Sequence, residues 1–166
     1  NHVFFTNKNF KINELSKLPI SKFSSFINQS LSSNELRDKN FLSIDINASQ
    51  KVILIRIKDS QSQLDIEKVG AEFYLYLKSN LYLKTTFYEQ NISNSFPKNK
   101  FFFDQFVQGL QLKSYEFNKY ISKSKEKKFD IEVLNKNKTF QFNKNKKYRS
   151  LIEGTNLTKD LVSEPG

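Results

Sequence analysis

The alternation of apolar and polar positions divides the chain into strands and helices that take turns. Val3-Phe4-Phe5 is a short apolar run suited to a first strand. Beyond Pro19, which fits the first turn of a helix, Ile20, Phe23, Ile27 and Leu31 recur three or four positions apart and so share one helical face. Leu42, Ile44 and Ile46 alternate with Ser43 and Asp45, the period of a half-buried strand. Residues 52–57 are almost continuously apolar and β-branched, as expected of a strand covered on both faces in the middle of an α/β sheet.

The second half repeats the alternation. Across 63–79, Ile66, Val69, Gly70, Phe73 and Leu77 form one helical stripe, which predicts a helix packed on the sheet. Gly70 would let that helix approach its neighbour closely. Residues 83–89 read as a strand, and 91–97, polar and ending in Pro97, as a loop. Phe103, Phe106, Val107, Leu110 and Phe117 predict a helix over 101–120 whose aromatic stripe belongs to the core. Phe129, Ile131 and Val133 alternate with Asp130 and Glu132 in another strand, which Phe140 and Phe142 extend or pair with. After a polar connection at 144–147, Tyr148, Leu151, Ile152, Thr155, Leu157 and Leu161 predict a final helix with a partly apolar face. Strands alternating with helices in this way make a layered α/β sheet with right-handed crossovers.

Composition adjusts this picture in a few places. At 166 residues the chain is long enough for an ordinary core without disulfides or structural metal. Its apolar content of 37% is low, but seventeen Phe supply bulk that Ala and Gly would normally share. Lys, Asn, Ile and Phe are all favoured by AT-rich codons, which accounts for the general bias. The absence of cysteine removes disulfides, thiolate metal sites and cysteine nucleophiles, and fits a cytoplasmic protein. No run of about 18 apolar residues is present to span a bilayer, so a soluble chain without a membrane partner is expected.

Candidate chemistry is sparse. His2 is the one histidine, which argues against Ser-His-Asp or Cys-His catalysis. Acidic residues lie scattered among lysines with no clustering suited to metal, and Asp45, Asp65, Glu67 and Glu72 read as a solvated sheet edge and helix face. No catalytic, cofactor-binding or metal residue is assigned. Gly70, Gly109, Gly154 and Gly166 are isolated, whereas a phosphate-cradling loop needs several glycines together.

The formal charge of +10 is unevenly spread. Residues 119–149 hold eleven basic side chains against three acidic ones, a balance of +8, while the rest of the chain holds sixteen against fourteen. Such a field attracts nucleic-acid phosphates, and Lys123, Lys125, Lys127, Lys128, Lys144, Lys146 and Lys147 are the candidate contacts, with DNA a possible partner. The interleaved Phe129, Phe140, Phe142 and Tyr148 could stack on bases, though their alternation fits core packing better. Solvated lysine-rich loops are the simpler reading of the same residues.

Two stretches carry a resemblance. The segment Lys159-Asp160-Leu161-Val162-Ser163-Glu164-Pro165-Gly166 resembles the joint between the two domains of the leucyl aminopeptidase (cytosol aminopeptidase) family, where a helix closes in Arg-Asp-Leu-Val-Asn-x-Pro-Gly. Here Lys159 stands for the usual Arg and Ser163 for the usual Asn. Upstream, Gly109, Leu112, Tyr115, Phe117, Asn118 and Tyr120 follow the family pattern of Gly, Leu, Tyr, Phe, Asp or Asn, and Tyr at the end of a helix.

The resemblance implies a macro-like α/β/α sandwich with a mixed sheet. It implies an N-terminal, non-catalytic domain at 1–146, followed at 147–166 by a linker helix leading to a catalytic domain. That domain would carry two divalent metal ions, zinc or manganese, and remove N-terminal residues from peptides. The partners implied are the chain's own catalytic domain and other copies in a hexamer, with the N-terminal domains outside the catalytic centre. No position here matches the family's metal ligands, so the 166 residues alone are expected to hydrolyse nothing.

Overall fold

A computed structural model of the chain describes residues 1–7, 9–10, 12, 20–32, 40–58, 61–115, 129–135, 138–141 and 146–164. The fold is α/β and layered, built on a mixed six-stranded sheet. Its strands are β1 (His2–Thr6), β2 (Phe41–Asp45), β3 (Lys51–Arg56), β4 (Lys84–Tyr88), β5 (Asp130–Asn135) and β6 (Lys138–Gln141), in the spatial order β2-β3-β1-β4-β5-β6. The four inner strands run parallel, and β2 and β6 close the two edges antiparallel. The helices are α1 (Ser24–Ser32), α2 (Gln63–Ser79), α3 (Glu89–Ser95), α4 (Phe102–Ser114) and α5 (Lys146–Ser163). These elements divide into two compact units, one holding the sheet with α1 and α3, the other holding α2, α4 and α5.

In the sheet unit, the continuous apolar run predicted to be covered on both faces is β3, and its Val52, Ile53, Leu54 and Ile55 are all fully buried. One face gathers Phe4, Leu42, Ile44, Val52, Leu54 and Tyr88 with Phe10, Ile12, Ile20 and Ile27. Ile20 precedes a short 3-10 turn, Ser21–Phe23, that leads into α1, so the predicted helix begins a turn later than Pro19 suggests. On the opposite face, β1 and β4 bring Phe5 against Phe87, with ring centroids 5.7 Å apart. Of the two alternatives for residues 140–142, pairing holds: β6 lies antiparallel to β5 with Phe140 opposite Val133.

The predicted loop at 91–97 is largely helix. β4 runs straight into α3, whose Glu89 complements the helix N-terminus, and polar Asn91 is its buried residue. Sequence pattern takes a polar run for a loop, and here the polar residue faces inward for its hydrogen bonds.

In the helical unit, Ser62 caps α2 through a reciprocal box with Asp65, so Asp65 serves the helix start and is more than a solvated face. At its other end, Tyr82 N donates to Leu77 O at 2.9 Å and Leu81 N to Lys78 O at 3.3 Å, a Schellman closure. Leu81 holds the position with φ of 58° that glycine usually takes. Gly70 does permit a close approach, and the neighbour is α4: a Cβ added there would lie 1.9 Å from the Phe106 carbonyl oxygen. Gly109 on α4 returns the contact, with the Glu67 carbonyl oxygen 1.9 Å from its would-be Cβ. The two backbones touch, and the rings of Phe73 and Phe106 pack beside the crossing with centroids 5.6 Å apart.

Candidate functional site: the joint between α4 and α5

α4 is predicted to continue to residue 120, but it stops at Ser114, with Tyr115 extended at φ −60° and ψ 127°. Ser114 Oγ turns back to donate to Gln111 O at 2.9 Å. One turn earlier, the Leu112 carbonyl, left without a helical partner at the helix end, accepts from Lys159 Nζ at 2.9 Å. The Lys159 ammonium therefore sits where the negative end of the α4 dipole favours a cation. It also lies 4.9 Å from the centroid of the Tyr115 ring, within cation–π reach.

Tyr115 leaves the helix and its hydroxyl donates to Asp160 Oδ1 at 2.5 Å. Burial, followed by the hydrogen bond and charge of Asp160, pushes the phenol up to about 12. At the other end of the pair Phe101 meets Tyr148, with ring centroids 6.3 Å apart. Phe101 with Tyr148 and Leu112 with Lys159 share the same 47-residue offset, so the two helices run side by side in the same direction.

Between these end contacts Ile152 is buried one turn after Tyr148, and polar side chains follow. Gln108, 8% exposed, has an amide oxygen with no hydrogen-bond partner, as do Gln111 on α4 and Asn156 on α5. The shared offset brings Asn156 level with Gly109. α5 is thus held through buried Tyr148 and Ile152 in its first half and Lys159 and Asp160 near its end.

The two stretches singled out by resemblance therefore meet. Leu112 and Tyr115 from the first and Lys159 and Asp160 from the second form one cluster, with the jobs of carbonyl acceptor, hydroxyl donor, helix cap and acceptor, while Gly109 faces α2. Leu161 is not part of it and is 64% exposed. Phe117, Asn118, Tyr120 and Pro165 lie outside the described residues, as do Lys123, Lys125, Lys127, Lys128 and Lys144. Lys146 and Lys147 are exposed in the first turn of α5, not in a connection before it. Lys159 donates one hydrogen bond to one carbonyl; the forked geometry of Arg is not required for it.

Ligands enter open α/β sheets beyond the carboxyl ends of the strands, where strand order reverses. Here that is the gap between β1 and β4, which pair only through His2 and Val3. Beyond them, Asn91 fills the opening: its Oδ1 accepts from Phe5 N at 2.8 Å and its Nδ2 donates to Phe5 O at 3.0 Å. Phe96 packs edge-on against Phe5 behind it, at 5.6 Å. Periodicity missed Asn91 because a side chain that imitates a strand looks like any other polar residue in sequence. Between the first residue of β1 and the last of β4, Tyr88 Oη and His2 Nδ1 are 2.6 Å apart, and burial lowers the His2 pKa.

Among the described residues, no group of three His, Cys, Asp or Glu side chains is placed to hold a metal ion, and no helix is long and apolar enough to cross a membrane.

No protein-family profile matches the chain, and no curated protein matches it. Among solved structures it is similar to a mutant of tomato leucine aminopeptidase, with 17% identity and a TM-score of 0.58. That likeness covers 99% of this chain and 35% of the tomato chain, so the chain spans about a third of that protein's length. At such identity the likeness is one of fold.

Proposed function

We propose that the chain is the N-terminal accessory and assembly domain of a metal-dependent leucyl aminopeptidase, an exopeptidase that removes N-terminal residues from peptides. The observation that carries this reading is the contact of Tyr115 with Asp160 and of Lys159 with the Leu112 carbonyl, which joins the two stretches that resemble the family. The likeness in fold to the tomato enzyme over nearly the whole chain supports it independently.

On this reading the cluster fixes the direction in which α5 leaves α4, and so sets the position of the catalytic domain that follows. Two divalent metal ions, zinc or manganese, would act in that domain, in a cytoplasmic hexamer whose access the N-terminal domains restrict. The chain's own residues bind, orient and assemble, and the cleavage belongs elsewhere.

The test is the coding sequence beyond residue 166. A continuation into a domain rich in paired Asp and Glu supports the proposal, and a stop codon within a few residues overturns it. Assay of the pure 166-residue chain on a leucyl chromogenic amide is expected to give no release; chelator-sensitive release would refute the accessory role.

The charge of residues 119–149 favours a second reading, a basic module that binds nucleic acid. Reversing Lys125, Lys127 and Lys128 to Glu should then weaken DNA binding and flatten its salt dependence. Unchanged binding would remove that stretch as the site.

A further inference from the structure

Among the described residues four buried side-chain oxygens make no hydrogen bond, and three of them, Gln108 Oε1, Gln111 Oε1 and Asn156 Oδ1, belong to α4 and α5. The bond from Tyr115, just past the end of α4, to Asp160 marks the flanks on which the two helices meet. Gln111 stands four residues before Tyr115 and Asn156 four before Asp160, so these amides lie one turn below that bond on the same two flanks. Gln108, three residues before Gln111, continues the row and is only 8% exposed.

The donors of the neighbourhood are engaged elsewhere. Tyr115 Oη donates to Asp160, Lys159 Nζ to Leu112 O and Ser114 Oγ to Gln111 O. Thr155 Oγ1 donates to Leu151 O at 2.8 Å and Thr158 Oγ1 to Gly154 O at 3.0 Å, both within α5. Three acceptors thus gather where the chain brings no donor, and burying them unmatched is costly.

Charge decides what matches them. The chain is strongly basic, but along this flank Asp104 stands one turn before Gln108 and Asp160 one turn after Asn156, against Lys159 alone. Arg149 and Glu153, the next charges along α5, neutralise each other at 2.8 Å. The flank therefore favours a cation. The three oxygens themselves are neutral, with the carboxylates a turn away. Divalent ions want carboxylates in contact, whereas a monovalent ion accepts carbonyl oxygens in place of part of its water shell.

We infer that this flank of the α4–α5 seam binds a monovalent cation such as potassium, held by the amide oxygens of Gln108, Gln111 and Asn156 and completed by water. The bound ion ties α5 to α4 along the stretch between Ile152 and Lys159 and stiffens the joint. The inference rests on these oxygens and is independent of the aminopeptidase reading.

The test uses the 166-residue chain in potassium chloride and tetramethylammonium chloride, mixed at a constant total of about 0.2 M so that chloride and ionic strength stay fixed. As potassium replaces the larger cation, the side-chain NH2 resonances of the three amides should shift together and saturate, half-complete on the order of 10 mM, and the melting temperature should rise by about 3 °C. In tetramethylammonium chloride alone Gln108→Leu and the parent should melt alike, and Gln108→Leu should gain nothing from potassium. Asn156→Asp brings a carboxylate into contact and should tighten binding about 10-fold.

Resonances that do not shift and saturate, equal melting in the two salts, or a potassium response kept whole in Gln108→Leu would each overturn the site. A seam that holds only an ordinary buried water gives the first two of these results. Where circular dichroism shows Gln108→Leu unfolded, Asn156→Asp decides, and an affinity equal to the parent's overturns the site.

Discussion

α4 has two helical neighbours, and it meets them by opposite means. Toward α2 the contact is bare backbone on backbone, with Gly70 under the Phe106 carbonyl and Gly109 under that of Glu67, flanked by stacked and tilted aromatic rings. Toward α5 it is mixed, with Tyr148 and Ile152 buried, amide oxygens of Gln108, Gln111 and Asn156 lacking partners, and Lys159 and Asp160 fastening the far end. The first seam depends on the absence of atoms and allows no adjustment. The second depends on a few directional contacts and could be refitted at small cost. A joint whose role is to aim the next element would need both, a fixed base and an adjustable arm.

The largest expected effect comes from filling the tight seam. Gly109→Ala and Gly70→Ala should each destabilise the chain by about 3 kcal/mol, since a methyl group cannot share space with a backbone carbonyl. The double variant should cost less than the sum, because one separation of the helices relieves both clashes. Gly154→Ala is the internal control: in open space the same change should stabilise by about 1 kcal/mol through helix propensity. Urea unfolding of the three variants checks this, and equal signs at Gly109 and Gly154 would mean the α2–α4 crossing is not tight.

Next comes a contrast between two buried amides. Asn91 is fully satisfied by Phe5, so Asn91→Leu leaves a buried N–H and C=O unpaired and should cost about 2–4 kcal/mol in the same measurement. A loss below about 1 kcal/mol would show that β1 does not depend on the Asn91 bridge.

At the fastened end of α5 smaller changes are expected. Lys159→Ala should cost about 1 kcal/mol, the worth of one partly exposed hydrogen bond, and Lys159→Arg should restore most of it. The Tyr115 phenol, raised in the folded chain to about 12, keeps its proton where the unfolded chain loses it near 10. Its contribution is therefore whole below pH 10 and lost as pH rises toward 12. The stability difference between the parent chain and Tyr115→Phe should shrink over that window. A constant difference would deny the bond to Asp160.

How much of this could be read from the sequence differs by element. β1, β3 and the stripe of α2 were legible, because continuous apolar runs and spacings of three and four report burial directly. Gly70 was legible as a point of approach, but its partner was not, since one glycine does not say which backbone faces it. α3 was missed because Asn91 is buried to satisfy a strand, which inverts the usual meaning of a polar residue. The joint was half legible. Gly109, Leu112, Tyr115 and Asp160 stood out by resemblance, yet the bond between Tyr115 and Asp160 spans 45 residues and no local period predicts it. The partnerless amide oxygens of Gln108 and Gln111 gave no signal, because Gln at 108 and 111 reads equally well as an exposed helical face.

Those amides give the smallest expected effect and the finest test of the contrast between the seams. Gln108 is more than nine-tenths buried with an unbonded oxygen, so that oxygen carries a desolvation cost with no matching bond. Gln108→Leu keeps comparable bulk and removes that cost, and stability should stay within about 0.5 kcal/mol of the parent or rise. Hydrogen exchange along α5 should separate this from a general gain in packing. If the polar seam is what keeps α5 adjustable, exchange at residues 150–160 should slow in Gln108→Leu while exchange in α2 is unchanged, because only one side of α4 has been altered. A loss of more than about 1 kcal/mol would instead mean that Gln108 holds a bond across the seam, and the two faces of α4 would then be equally committed.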